Sequence, residues 1–160
     1  NAESFPEKAA ISFKNETVSY GPLKEDILIS ASNLLYLGIK PGDRVMINSV
    51  SKPEMVSAYL AVRFIGAVAV FLDKNATEET TKNIIEDSEP VVLLTDKPIK
   101  FDVSPVTLSS LKNLSAGEIS EEPIPYTPED DSISEMIYTS GTTGKPKGVM
   151  LSSKAVFNIL

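Results

Sequence analysis

Ten consecutive residues combine the groups that could bind and stabilise a polyphosphate: Thr139-Ser140-Gly141-Thr142-Thr143-Gly144-Lys145-Pro146-Lys147-Gly148. Glycine gives the backbone access to positive φ and to close approach of a ligand. Gly141, Gly144 and Gly148 are expected to be such points. Successive inward-pointing N–H groups make an anion nest. Thr139, Ser140, Thr142 and Thr143 add hydroxyls that rotate to meet phosphate oxygens. Lys145 and Lys147 bring positive charge, with Pro146 restricting the backbone between them. The structural alternative is a Gly/Thr-rich surface turn between strands.

The spacing does not fit the Walker loop, G-x-x-x-x-G-K-[ST]. Thr139 stands where its first glycine would be, and Pro146 where a magnesium-binding hydroxyl would follow the lysine. The chain has no histidine and no cysteine. Ser-His and Cys-His nucleophilic catalysis are therefore excluded within it. The chemistry on offer is electrostatic.

The elements that must hold this loop follow from pattern. Ile133 to Tyr138 before it and Val149-Met150-Leu151 after it are expected to be strands. Upstream, Ala9 to Phe13 and Thr17 to Ser19 predict a hairpin-like start. Pro22 opens a helix carrying Leu23, Ile27, Leu28, Ala31, Leu34 and Leu35 at helical spacing, with Gly38 as its C-cap. Val45 to Asn48 is a strand; Ser51 is expected to cap the helix that starts at Pro53 and ends near Gly66. Val68 to Leu72 and Val91 to Leu94 predict buried strands, with a Thr77-capped helix from Glu78 to Asp87 between them. The alternation predicts an α/β fold with a largely parallel sheet flanked by helices. Ligands of such sheets bind beyond the carboxyl ends of the strands, where the loop begins.

From Ser104 the pattern weakens, leaving a short helix over Leu108 to Leu114. Residues 118–131 are rich in acid and proline. A solvated connector is the expected reading, against a metal cluster, because adjacent carboxylates repel without a cation. Ser152 or Ser153 is expected to cap a last helix, and the apolar Ile159-Leu160 suggests a helix cut short.

At 160 residues and 42% hydrophobic, the chain can bury a core as one domain or part of one. A net charge of −7 disfavours nucleic-acid backbones. Lys145, Lys147 and Lys154 are expected to form a local positive cluster around the loop. No apolar run approaches the roughly 18 residues of a membrane span, and no basic, apolar leader is present. A cytoplasmic location is expected.

Tyr138 to Met150 reads YTSGTTGKPKGVM. It resembles, without a gap, the phosphate-binding signature of the adenylate-forming superfamily: acyl-CoA synthetases, aryl-CoA ligases, luciferases and the adenylation domains of nonribosomal peptide synthetases. Thr17 to Leu23 is similar to that family's T-Y-x-x-L entry into a long helix, and Gly38 to Val45 to its G-x-x-x-G-D-R-V turn. Gly66 to Asp73 and Ile85 to Thr95 follow its next strands and helix. Phe71 and Lys74 stand where relatives carry proline, and Ser153 where they often carry histidine.

The resemblance implies that residues 1–160 are a single N-terminal portion of a larger AMP-binding domain, with a connector at about 118–131 and a phosphate-loop unit over 132–160. It implies ATP with Mg2+, a carboxylic acid substrate activated as its acyl-adenylate, and transfer to coenzyme A or to the phosphopantetheine of a carrier protein. Thr139, Ser140, Gly141, Thr142, Thr143 and Gly144 would wrap phosphate. Lys147 would make the charged contact, with Lys145 second or simply solvated. Catalytic residues are expected elsewhere in the same enzyme, so the 160 residues alone are expected to be inactive. A fatty or other organic acid joined to coenzyme A is the expected substrate, with an amino acid as alternative. A non-catalytic nucleotide-binding module is the alternative function.

Overall fold

The computed structural model describes residues 2–96, 101–114, 123–139 and 146–158. Strands β1 (Ala9–Phe13) and β2 (Glu16–Ser19) pair antiparallel across a turn with Lys14 at φ 53°. Helix α1 (Tyr20–Tyr36) follows directly and ends at Leu37, with Gly38 beyond it at φ 82°. The helix begins two residues before Pro22. A proline in the first turn costs no hydrogen bond, because that N–H has no intrahelical partner.

The main sheet contains β3 (Arg44–Asn48), β4 (Val68–Phe71), β5 (Val92–Thr95), β6 (Pro105–Thr107), β7 (Ile133–Thr139) and β8 (Lys147–Ser152). Their order is β6-β5-β3-β4-β7-β8. Every neighbouring pair is parallel except β7–β8, which is antiparallel. The expected α/β architecture with a largely parallel sheet is therefore observed. Strand β6 was not foreseen. Three residues led by a proline carry too little pattern, and its position at the sheet edge tolerates the missing N–H.

Alternation along the strands divides the core. Val45, Ile47, Ala69, Val92 and Leu94 face α1, α2 (Pro53–Phe64) and α4 (Leu108–Leu111), packing on Leu34, Ala58, Ala61, Val62 and Leu111. Met46, Val70, Leu72 and Leu93 face the other way, toward Ile84 of α3 (Glu78–Ser88). Side chains of opposite pleat and both faces covered explain the unbroken apolar runs. A final helix, α5, covers Ser153–Phe157.

The expected caps are met in part. Thr77 Oγ1 accepts from the Thr80 N–H at 3.1 Å, and Ser152 Oγ from the Ala155 N–H at 3.2 Å. Ser51 does not cap α2. Lys52 holds the N-cap position in extended backbone, with no side-chain cap bond. Pro53 dictates this, because the residue before a proline is driven out of the helical region. Of the connector, residues 123–130 form no helix or strand and are mostly exposed; 118–122 fall outside the described residues. Among the described residues no acidic group is arranged to hold a metal ion.

Candidate functional site

Strands β7 and β8 are the stems of the loop. Their register pairs Tyr138 with Gly148 and Thr139 with Lys147. Because β7 runs parallel to β4, it delivers the loop at the carboxyl edge of the sheet. Thr139 and Lys147 are both exposed there, cross-strand neighbours at the loop's base. Ser140, Gly141, Thr142, Thr143, Gly144 and Lys145 lie outside the described residues. The structure thus brings together one hydroxyl and one ammonium of the expected set.

Two sequence expectations need correction. Lys154 is not at the loop. Strand β8 carries the chain back to the far end of the hairpin, where Ser152 pairs with Ile133. Lys154 then binds Asp130 at 2.9 Å, with its own N–H on the Asp130 carbonyl at 3.1 Å. Gly148 is not a positive-φ point either; the described glycines with positive φ are Gly38, Gly42 and Gly66. Gly148 is extended within β8, and its bareness has another use. A Cβ there would lie 3.0 Å from Cζ of Tyr138, whose ring occupies that space.

Tyr138 projects to the α3 face, against the cluster of Met46, Val70, Leu72 and Ile84. Its hydroxyl donates to Asp87 Oδ2 at 2.5 Å. Burial, then the Asp87 carboxylate, push the phenol well above its ordinary value. On the opposite face, Glu135 of β7 is buried at 7% exposure. Its carboxylate accepts from the Tyr59 hydroxyl and from Arg63 Nη1, the latter at 3.1 Å. Burial first, and then the Glu135 hydrogen bond, raise the Tyr59 phenol. The strand leading into the loop is therefore tied to α3 on one face and to α2 on the other. Sequence reasoning missed both ties. A signal existed for one: Glu135 is the one charged residue in the strand ISEMIYT, between Ile133 and Ile137 on the same face.

A further cluster sits at the carboxyl edge, where the connections leaving β3 and β5 diverge. Asp96 accepts from Ser49 Oγ at 2.5 Å and from the Val50 N–H at 3.2 Å, and pairs with Lys52 Nζ at 2.5 Å. Burial pushes the carboxyl up, but Lys52 and Ser49 outweigh it and hold Asp96 below the usual carboxylate range.

A cleft of about 580 Å³ opens at the opposite, amino edge of the sheet, lined by Arg44, Arg63, Gly66, Glu89, Tyr126 and Ser134 among others. Its cations are engaged. Arg44 donates to the Ser88 and Glu89 carbonyls at 2.9 Å, and Arg63 to Glu135. The stems of the β7–β8 loop open at the other edge. Among the described residues no helix is long and apolar enough to cross a membrane.

A family model described as "AMP-binding enzyme" matches residues 1–160. A linear gramicidin synthase of Brevibacillus parabrevis is 36% identical over 98% of this chain, which covers 2% of that protein. The 2-succinylbenzoate–CoA ligase of Bacillus cytotoxicus is 35% identical over 92% of this chain, which spans 30% of that ligase's length. Among solved structures, the O-succinylbenzoate coenzyme A synthetase of Bacillus subtilis in complex with AMP superposes with a TM-score of 0.83 at 29% identity. That match covers 95% of this chain and 40% of the synthetase chain. The N-terminal subdomain of Klebsiella oxytoca NpsA, in complex with 3-hydroxybenzoyl-AMSN, superposes with a TM-score of 0.82 at 25% identity. Here the match covers 94% of this chain and 38% of that one.

Proposed function

The chain belongs to the AMP-binding enzyme family, and on that premise we propose that it supplies the phosphate-binding loop of an ATP-dependent acid–thiol ligase. The observation that carries the proposal is the hairpin register: Thr139 and Lys147 face each other at the base of the loop, at the sheet edge where such folds bind ligands. An exposed hydroxyl and an exposed ammonium suit a polyphosphate. Mg2+ bound with the nucleotide would offset part of the polyphosphate's charge.

In the reaction, a carboxylate oxygen attacks the α-phosphorus of ATP. The bond to the bridging oxygen breaks, and pyrophosphate leaves with the electron pair. A thiol then displaces AMP from the acyl carbon, giving the thioester. This chain's part is to hold the β- and γ-phosphates. Backbone N–H groups, hydroxyls and Lys147 of the loop would stabilise charge as it builds on the leaving group. Lys145 is the second candidate for charge. The remaining groups of the site belong to other parts of the enzyme. The coenzyme A ligases and peptide synthetases among the relatives suggest an organic acid joined to coenzyme A, or an amino acid joined to a carrier protein.

The test is acid-dependent release of pyrophosphate from ATP by the full-length enzyme. The panel holds 2-succinylbenzoate, benzoates, fatty acids and amino acids, with Lys147→Ala alongside. Release with one acid class, and its loss in the variant, is the expected result. No release with any acid from a folded enzyme that binds ATP would overturn the ligase in favour of a nucleotide-binding module. Acyl-adenylate made by the 160 residues alone would overturn the assignment of catalysis to other parts.

A further inference from the structure

We propose that Tyr138 and Asp87 form a latch that sets both stems of the loop in register for phosphate binding, making Tyr138 a positioning residue for ATP. The inference rests on the phosphate-loop reading. Tyr138 is the residue immediately before Thr139, and its cross-strand partner Gly148 is the residue immediately after Lys147. One side chain therefore touches both ends of the loop. Its hydroxyl fastens β7 to α3 through Asp87 at 2.5 Å. Its ring lies against Gly148 so closely that a Cβ would stand 3.0 Å from Cζ and 3.2 Å from Cε1. Strand β8 is thereby seated by the same ring.

The anchor itself is fixed. Helix α3 is capped by Thr77, buries Ile84 in the core, and closes with the Ser88 hydroxyl donating to the Ile84 carbonyl at 2.7 Å. Strand β8 lies at the sheet edge, and Val149 and Met150 are exposed. Its described contacts to β7 and to the Tyr138 ring must therefore do much of the work of placing it. The raised phenol keeps its proton, so the hydroxyl stays a donor to the carboxylate. A donor set held in place before the ligand arrives binds more tightly, because less order is lost on binding.

The experiment is steady-state kinetics of the full-length enzyme with ATP and acid varied separately. Tyr138→Phe, Asp87→Ala, Asp87→Asn and the Tyr138→Phe/Asp87→Ala pair are compared, with Lys147→Ala as reference. Tyr138→Phe keeps the ring on Gly148 and removes only the hydroxyl. The expected rise in KM for ATP is about threefold to tenfold, the net worth of one ordinary hydrogen bond, because Asp87 is exposed and its charge screened. KM for the acid should stay within about twofold. Asp87→Asn, whose amide oxygen still accepts, should recover part of the loss. The double variant should be no worse than either single change, since both remove one interaction. An unchanged KM for ATP in Tyr138→Phe and Asp87→Ala, with Lys147→Ala impaired, would sink the latch and leave the phosphate loop standing. If Lys147→Ala and all latch variants leave KM for ATP unchanged, the phosphate-loop reading falls as well. Equal rises in both KM values together with a lowered melting temperature would mark a merely structural role. Should Tyr138→Phe fail to fold, the exposed Asp87 variants decide the question alone.

Discussion

Replacing Glu135 by alanine removes the carboxylate that joins β7 to α2. Its partners are the Tyr59 hydroxyl and Arg63 Nη1 at 3.1 Å, and the Glu135 and Arg63 side chains are 9% and 23% exposed. Removing one member of a well-buried pair costs about 3–5 kcal/mol, mostly through the charge left behind. Arg63 also borders the amino-edge cleft, so water can reach the stranded guanidinium. That places the expected loss at or below the lower end of this range, about 2–3 kcal/mol. For a chain of this size each kcal/mol moves the melting temperature by roughly 2–4 °C. Glu135→Ala should therefore melt roughly 5–10 °C lower. Circular dichroism melts of the wild type, Glu135→Ala, Arg63→Leu and the double variant provide the assay. The double variant should be less damaged than the sum of the singles by about 1 kcal/mol or more, because removing both partners strands neither. Strictly additive losses, or a Glu135→Ala melt within about 1 °C of wild type, would refute the argument that this buried charge is held by its partners.

Three further outcomes are expected. Asp96 has a folded carboxyl lowered from its usual 3.8; the stability it contributes is present above that value and is lost as pH falls through the folded one. Asp96→Asn should flatten the acid limb of a urea-midpoint titration, and an identical limb would contradict the Lys52 pairing. Gly66→Ala combines φ 77° with a Cβ only 2.5 Å from the Tyr126 ring. It should cost roughly 2–4 kcal/mol alone and clearly less beside Tyr126→Ala; equal costs in urea unfolding would mean that the ring simply steps aside. Lys154→Ala should leave KM for ATP as in the wild type while Lys147→Ala raises it, because Lys154 stands at the far end of the hairpin; a matching rise would restore Lys154 to the loop.

Much of the frame was legible because period and punctuation agreed. Apolar runs marked β4 and β5, Thr77 marked the start of α3, and Gly38 marked the end of α1. Pro53 misled: it announced a helix, but its effect on Lys52 displaced the hydroxyl expected as cap. The loop's residue types suggest a chemistry, but residues 140–145 lie outside what the structure describes, and only Thr139 and Lys147 are placed. What supports the stems was hidden. Tyr138 meets Asp87, and Glu135 meets Tyr59, across sequence distances that no local pattern spans. Gly148 looked like backbone freedom and proved to be room for a ring, a distinction that only a cross-strand register reveals.

The place of β7 in the sheet also dictates an order of assembly. It pairs with β4, Val70 beside Met136, while β5 and β6 are made between them and add to the other side of β3. Contacts so distant along the chain close late, since the loop entropy must be met before the pairing is gained. During synthesis the β3–β4–β5 core can therefore form with one flank of β4 still bare. Val68 to Phe71 then presents an apolar, unpaired edge of the kind that invites association with other chains. Arrival of the β7–β8 hairpin closes that edge. The segment proposed to carry the phosphate loop is also the one that covers this edge of β4.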